Sequence, residues 1–211
     1  MLQKIVTQLC YKRAVPKIVD PVERRLAVAA AVWRVVRRDG LAQASVRNVA
    51  REAGLSAGSL RHYFATQSEL LAFTLRMIME RIERRIAALP AEPDPRRRAE
   101  LVLAELLPMD AERAAENEVW LAFTARAMVD PELRVLRNEG HDALRAGCRR
   151  LVQDLAGPGR PGHDIERETD RLHALVDGLA VHAATRPDTT TPAEMLAIVG
   201  SHLHALEHAL A

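Results

Sequence analysis

The fold is decided by Ser45-Val46-Arg47-Asn48-Val49-Ala50-Arg51-Glu52-Ala53-Gly54-Leu55-Ser56-Ala57-Gly58-Ser59-Leu60-Arg61-His62-Tyr63-Phe64. Two short helical patterns in it are separated by a turn. A small residue, Ala50, lies where the two helices must cross closely, and Gly54 tolerates the positive φ that a sharp turn requires. Ser45 and Ser56 precede the helices as N-terminal caps. The stretch therefore predicts a helix-turn-helix.

The residues on either side of this stretch also have helical spacing. An apolar stripe through Leu26, Ala30 and Trp33 predicts a preceding helix that ends at Asp39-Gly40. Thr66-Gln67-Ser68-Glu69 reads as a capping box that opens a long helix to about residue 89. Further helices are predicted between breaks rich in Pro and Gly, at about 96–107, 111–129, 131–156, 163–185 and 192–210. The fold class is therefore all-α, with about nine helices.

Composition and charge agree with this prediction. The chain has 211 residues, of which 48% are hydrophobic and only 3% aromatic, as expected for helices packed through Leu, Ala and Val. The net charge of +2 hides an asymmetry. Residues 1–64 hold 12 Lys and Arg against 4 Asp and Glu, a net of +8, whereas residues 65–211 hold 18 against 24, a net of −6. The basic end is the place to expect nucleic acid.

Cysteine use and hydropathy indicate the compartment. Two cysteines, Cys10 and Cys148, are too few for a disulfide framework. No apolar run reaches the roughly 20 residues that span a bilayer, and the start lacks the features of a signal peptide. We therefore expect a cytoplasmic protein without a membrane partner. All three lysines fall in the first 17 residues of an otherwise Arg-based chain, which suggests a flexible arm or an over-extended start at 1–17.

The stretch and its flanks resemble the TetR family of transcriptional repressors. The matching elements are a Ser cap, a small-residue turn, an aromatic pair and a following helix start: Ser45, Ala50, Ala53-Gly54-Leu55-Ser56, Tyr63-Phe64, Thr66, Glu69 and Leu70. The resemblance covers about residues 18–75. Downstream, Val176-Asp177-Gly178-Leu179 and Arg186-Pro187-Asp188 are similar to the BetI-type C-terminal domain. The resemblance implies a helix-turn-helix DNA-binding domain at 18–66 and a helical ligand-binding and dimerisation domain at 67–211.

A double-stranded DNA operator is the partner that the resemblance implies for the basic end. Phosphate contacts position such a protein and base-edge contacts specify the sequence. We assign Ser45, Arg47, Ser56, Tyr63 and Gln67 to the DNA backbone. The recognition helix, which would enter the major groove, carries the candidates Ala57, Gly58, Ser59, Arg61 and His62. Arg61 stands where the family commonly has Tyr, and Gln67 where it often has Lys.

The resemblance also implies a homodimer in which the last two helices form a four-helix bundle with their mates. Two apolar stripes are the predicted interface: Leu172, Leu175, Val176, Leu179 and Ala183, and then Leu196, Val199, Leu203 and Leu206. Such stripes are core or interface, and the sequence leaves open which.

A pocket for an unidentified small-molecule effector is expected in the C-terminal domain. Its candidate liners are large side chains of the central helices and a few polar groups nearby: Met77, Trp120, Phe123, Met128, His141, His173 and Asp177. Each large side chain could equally fill core, and each polar group could be exposed or lie at the dimer seam.

The predicted function is a transcriptional repressor that binds a palindromic operator as a dimer and is released by an effector. It is not predicted to be an enzyme and is predicted to need no cofactor or metal. One alternative is a helical scaffold that uses the helix-turn-helix for protein contacts. The other is a metal-binding helical-bundle enzyme using Asp170 with His173, or His204 with His208. No matching Glu-x-x-His pair supports the enzyme.

Overall fold

The computed structural model describes residues 21–40, 43–157 and 162–210. Every regular element in these ranges is helical, as predicted. The helices run in the order α1 Pro21–Asp39, α2 Val46–Glu52, α3 Ala57–Tyr63, α4 Gln67–Ala87, α5 Pro95–Leu106, α6 Ala111–Val129, α7 Pro131–Ala156, α8 Gly162–Thr185 and α9 Pro192–Leu210. The arm predicted at 1–17 lies outside the described residues.

Local signals in the sequence place the helix ends. Gly40 has φ 80° directly after α1, and Gly54 has φ 66° in the turn between α2 and α3. The Ser45 and Ser56 hydroxyl oxygens accept hydrogen bonds from the backbone N–H groups of Asn48 and Ser59 at 3.2 and 3.0 Å. These caps satisfy amides that the short helices cannot pair themselves, so the helix-turn-helix geometry is confirmed.

The helix-turn-helix packs around an apolar core that extends into the rest of the chain. Val32, Val49 and Leu60 bring α1, α2 and α3 together, and each is at most 1% exposed. The same cluster contains Ile78 from α4 and Val119 from α6. The first three helices are therefore held against α4 and α6 by shared side chains.

A second core holds the last helices. Leu103 of α5, Val152 of α7, Leu172 of α8 and Leu203 of α9 are fully buried in one cluster. In the contacts between elements, α8 packs mainly on α7 and α9 mainly on α5. A smaller cluster around Phe123 joins α4, α6 and α7. Among the described residues, no helix combines the length and apolar character required to cross a membrane.

Candidate functional site

Helix α3 presents its polar side to solvent at one end of the molecule. The predicted base-reading residues Ala57, Gly58, Ser59, Arg61 and His62 are all exposed, whereas Leu60 turns inward and is fully buried. The small residues at the start of α3 leave its backbone open to a close approach. This is the surface that a recognition helix needs in order to enter a major groove.

The residues predicted to contact the DNA backbone flank α3. Arg47 and Gln67 are exposed, and Tyr63 is half-buried with the His62 ring edge-on to it, 5.6 Å between centroids. The Ser45 and Ser56 oxygens are engaged as caps. Gln67 is the first residue of α4, where the Thr66 hydroxyl oxygen accepts a hydrogen bond from the Glu69 N–H at 3.1 Å.

The arginines of α1, α2 and α3 include some that form ion pairs and others that do not. Arg34 and Arg38 on α1 form ion pairs with the Glu52 carboxylate of α2 at 2.7 and 2.9 Å and so connect these two helices. Within the described part of the chain, Arg47 and Arg61 have no hydrogen bond or ion pair. Their charges therefore remain available to phosphate or to a base edge, in keeping with the basic character of residues 1–64.

A cavity of about 410 Å³ lies among α4, α5, α6, α7 and α8. Its volume falls within the range of sites that hold drug-sized ligands. The walls are mostly apolar, with Ile78, Met79, Ile82, Ile86, Val102, Leu106, Trp120, Leu144, Leu151 and Val176 among the lining residues. Five acidic side chains, Glu83, Glu105, Glu116, Asp154 and Asp177, also line it, against three arginines, Arg98, Arg113 and Arg150.

Of the seven residues predicted for the pocket, Trp120 and Asp177 lie on its walls. The other five do not. Phe123 points into the core between α4, α6 and α7, and Met128 is 73% exposed at the far end of α6. Met77 is half-buried on a different face of α4. These three side chains do not line this cavity, because large size alone does not identify the helix face that a cavity occupies.

His141 and His173 also lie outside the cavity lining, but they meet beside Asp177, with their ring centroids 4.4 Å apart. His173 is buried, and burial lowers the pKa of its imidazole. These three residues thus form a separate cluster at the edge of the cavity.

The polar wall of the cavity is tied to α4 by ion pairs. Glu116 of α6 is 3% exposed, and both of its oxygens accept hydrogen bonds from the Arg85 guanidinium at 2.9 and 2.7 Å. Arg85 also donates to Glu105 of α5 at 2.9 Å. The carboxylates, Glu116 first among them, raise the pKa of Arg85. Arg85 therefore links three of the five helices that enclose the cavity.

Trp120 packs directly against the backbone of α7. A β-carbon at Gly140 would lie 2.9 Å from Cζ3 of the Trp120 indole and 3.1 Å from Cη2. Glycine at position 140 therefore leaves the space that the indole occupies against α7 as part of the cavity wall.

Helix α4 connects the cavity to the helix-turn-helix. Leu70, one turn from its start, is buried with Leu60 and Phe64 in the core of the first three helices. Further along α4, Ile78 and Ile82 belong to that core and also line the cavity. Helix α4 therefore contributes side chains both to the cavity wall and to the core of the first three helices, where the Phe73 ring of α4 lies 5.1 Å from the Phe64 ring, centroid to centroid.

The structure corrects the predicted dimer interface. Most of those side chains are already buried within the single chain, where they form the core among α5, α7, α8 and α9: Leu172, Val176, Leu179, Val199, Leu203 and Leu206. Leu175 and Ala183 are half-buried against the same core. Only Leu196 of the predicted set is exposed, and Val181 and Ile198, which were not predicted, are exposed as well.

Helices α1–α3 form a basic helix-turn-helix with an exposed recognition helix, and α4 joins them to the helices that enclose the cavity. These features are those of a helix-turn-helix transcriptional regulator. Residues 28–81 match the bacterial regulatory proteins of the tetR family, and residues 95–208 match the C-terminal domain of BetI-type transcriptional repressors. The chain belongs to the TetR family of transcriptional regulators.

Similar proteins agree with this membership. The transcriptional regulator PksA of Bacillus subtilis is 37% identical over 194 residues, which cover 90% of this chain and 93% of PksA. BetI of Vibrio vulnificus is 28% identical and covers 89% of this chain and 94% of its own length. A transcriptional regulator from Rhodococcus sp. Rha1 has a similar structure, with a TM-score of 0.77, 32% identity and coverage of 88% and 96%. The relatives are transcriptional regulators, and the family indicates a regulator rather than an enzyme.

Proposed function

We propose that the chain is a dimeric repressor that reads a palindromic operator with α3 and releases it when an organic cation with an apolar body enters the cavity. The observation that carries the proposal is the continuity of α4, whose side chains line the cavity at Ile78 and Ile82 and pack beneath α3 through Leu70. We further propose the division into a DNA-binding domain at 18–66 and a ligand-binding and dimerisation domain at 67–211.

The exposure and unpaired charge of Arg61 support its role in reading the operator. Operator fragments selected from random DNA provide the substrate, and fluorescence anisotropy gives the affinity at several salt concentrations. Arg61→Ala is expected to weaken specific binding by about 1–3 kcal/mol if the contact is to a base. Arg97→Ala is the matched control, since Arg97 is an exposed arginine on α5. Equal affinities of the two variants for every fragment would contradict a contact between Arg61 and DNA.

Exposed apolar side chains on α8 and α9 support a second copy of the chain as partner. Val181, Leu196 and Ile198 are 41, 43 and 39% exposed in the single chain. Leu196 and Ile198 are two residues apart and point in nearly opposite directions from α9. A symmetric pairing of α8 and α9 that buries Val181 and Ile198 would place two copies of α3 for the two halves of a palindrome. These outward residues replace the buried leucines of the sequence prediction as the interface that we propose.

Light scattering coupled to size exclusion tests this interface. The unmodified chain is expected to elute as a dimer at micromolar concentration and Ile198→Glu as a monomer. Val135→Glu on α7 is the control, because Val135 is a still more exposed apolar residue outside the proposed interface. A monomeric unmodified chain, or a dimeric Ile198→Glu variant, would refute the proposed pairing.

Charge and aromatic character in the cavity support a cationic effector. Glu105 and Glu116 are ion-paired with Arg85 and Arg113, which leaves three acidic side chains on the walls, Glu83, Asp154 and Asp177, against two arginines, Arg98 and Arg150. The Trp120 indole offers a π face to a cation. The multidrug-binding protein EbrR, whose structure was solved in complex with ethidium, is 27% identical to this chain, with a TM-score of 0.62 and coverage of 85% of this chain and 98% of EbrR. An aromatic or aryl-substituted cation fits both the charge and the volume.

Two probes separate binding from release. Ethidium titrated into the protein without DNA is expected to bind saturably, and Val102→Trp, which fills the cavity from α5, to abolish this binding. Tetraphenylphosphonium, which does not intercalate, is then expected to displace the unmodified protein from its operator but not the Val102→Trp variant. Ethidium binding that survives in Val102→Trp would place the ligand elsewhere. Binding of tetraphenylphosphonium without operator release would refute the coupling through α4.

A further inference from the structure

We propose that His141, His173 and Asp177 form a binding site for a divalent transition-metal ion between α7 and α8. The two histidines and the aspartate bring their ligand atoms within 4.8 Å of one another. The site adjoins the effector cavity proposed above and shares Asp177 with its wall, whereas the two histidines lie outside the cavity lining.

The geometry suits a tetrahedral ion. His173 and Asp177 are one turn apart on α8, and His173 Nε2 lies 3.5 Å from Asp177 Oδ2. Two ligands of a tetrahedral zinc ion, each about 2.0–2.1 Å from the metal, are separated by roughly 3.3 Å. The α8 pair is therefore already spaced as two ligands of one ion. His141, which is exposed on α7, closes the remaining gap of at most about 1.5 Å by side-chain rotation.

His173 is one of four described residues with a buried side-chain polar atom that has no hydrogen-bond partner. It is 6% exposed, and its Nε2 has no hydrogen-bond partner although it is completely buried. Unsatisfied buried polar atoms are costly and rare. An ion placed between His173, Asp177 and His141 would satisfy this nitrogen.

The surrounding charges permit a cation. Arg145, whose positive charge acts on His173, is held by Glu166 and Asp170 at 2.8 Å each, so carboxylates offset its charge. The Asp177 carboxylate contributes a negative charge to the ion directly. Two imidazoles and one carboxylate form a ligand set that suits zinc and other late first-row metals rather than calcium or magnesium. A fourth ligand position remains for water.

The sequence alone pointed to a different pair. Asp170 and His173 have the i, i+3 spacing, yet Asp170 pairs with Arg145, and the partner of His173 is Asp177 at i+4. The third ligand comes from another helix, which no local spacing could reveal. An ion at this site would fix α7 to α8 beside the cavity wall.

Zinc binding to the untagged full chain tests the proposal. The measurement is competition with a chromophoric zinc chelator, made in a His204→Ala, His208→Ala background because these two surface imidazoles lie 3.2 Å apart and could hold zinc themselves. One zinc ion per chain is expected to bind. His141→Ala and Asp177→Asn are each expected to weaken binding more than tenfold. His182→Ala, an exposed histidine of α8 outside the cluster, is expected to change nothing.

Cobalt provides a second readout. The visible absorption of Co²⁺ bound to the His204→Ala, His208→Ala protein is expected to be that of an ion with nitrogen and oxygen ligands. This absorption is expected to change when His141→Ala is added. Circular dichroism verifies that the variants are folded. Absence of zinc binding in the background protein, or an affinity unaffected by His141→Ala and Asp177→Asn, would overturn the site. Operator and ethidium binding measured on His141→Ala distinguish loss of the metal from failure of the repressor mechanism.

Discussion

Replacing Gly140 by alanine tests the packing of Trp120 on α7. The new β-carbon would lie 2.9 Å from the indole Cζ3, closer than non-bonded carbon atoms approach. Gly140 is buried on the long helix α7, so the indole must move rather than the backbone. The open space next to the ring is the cavity that it lines. We therefore expect Gly140→Ala to tilt Trp120 into the cavity and reduce its volume.

Two opposing effects set the magnitude. Alanine is favoured over glycine within a helix by about 1 kcal/mol, whereas overpacking of a filled site costs about 1–3 kcal/mol. Gly147→Ala is the matched control, because Gly147 lies on the same helix and cavity wall but its β-carbon would be no closer than 3.9 Å, to Arg150 Nη2. The control is expected to gain the helical preference alone. The two variants should thus differ by about 1–3 kcal/mol in free energy of unfolding.

Thermal and urea unfolding followed by circular dichroism measure this difference. For a chain of this size, each kcal/mol corresponds to roughly 2–4 °C in Tm. Ethidium titration supplies a second readout, since only Gly140→Ala should narrow the cavity. If the Gly140→Ala and Gly147→Ala variants unfold at the same temperature and bind ethidium equally well, then Trp120 does not pack on α7 as described and the reasoning fails.

Phe123→Ala is expected to lower the free energy of unfolding by about 3–5 kcal/mol because the ring is fully buried, whereas Met128→Ala, at an exposed position, should change it by no more than about 0.5 kcal/mol. Equal losses in urea unfolding would contradict these placements. The Asp110 carboxyl accepts a hydrogen bond from the Arg113 backbone N–H at the start of α6. This hydrogen bond is the main cause that lowers the pKa of Asp110. The stabilisation from this group is therefore present above its unfolded pKa of about 3.9 and is lost as pH falls through the lower folded value. Asp110→Asn, which keeps the cap, should flatten the decline of Tm below about pH 5, and an unchanged slope would argue against this role. Burial raises the pKa of the Cys148 thiol to about 11, so in a Cys10→Ser background we expect far slower reaction with a thiol reagent in native than in urea-unfolded protein. Similar rates would show that the thiol is accessible.

Features encoded within a few residues were predictable from the sequence. The Ser45 and Ser56 caps, the positive φ of Gly54 and the Thr66 cap each depend on neighbours no more than three or four positions away. Local backbone geometry decides such features whatever the tertiary context. This is why the helix-turn-helix and most helix boundaries were predicted within one or two residues.

Features that depend on how helices face one another were not predictable in the same way. The stripe through Leu172, Val176 and Leu179 correctly indicates a buried face, but periodicity does not say whether another helix of the chain or a second copy covers it. In the structure α8 turns this stripe inward. The cavity posed the same difficulty, because five helices contribute to it. Trp120 and Phe123 lie three residues apart on α6 and belong to the same apolar cluster, yet only Trp120 lines the cavity.

The placement of Ile78 and Ile82 in both the core beneath α3 and the cavity wall has a consequence for engineering the chain as a biosensor. Under the coupling proposed above, substitutions on the α4 side of the cavity are expected to alter effector preference and operator affinity together, so that neither property could be selected alone. The α5 and α7 sides, at Val102 and Leu144, line the same cavity and belong to the other core. Under the same proposal, a library confined to those walls is expected to change the effector preference while leaving the operator specificity unchanged.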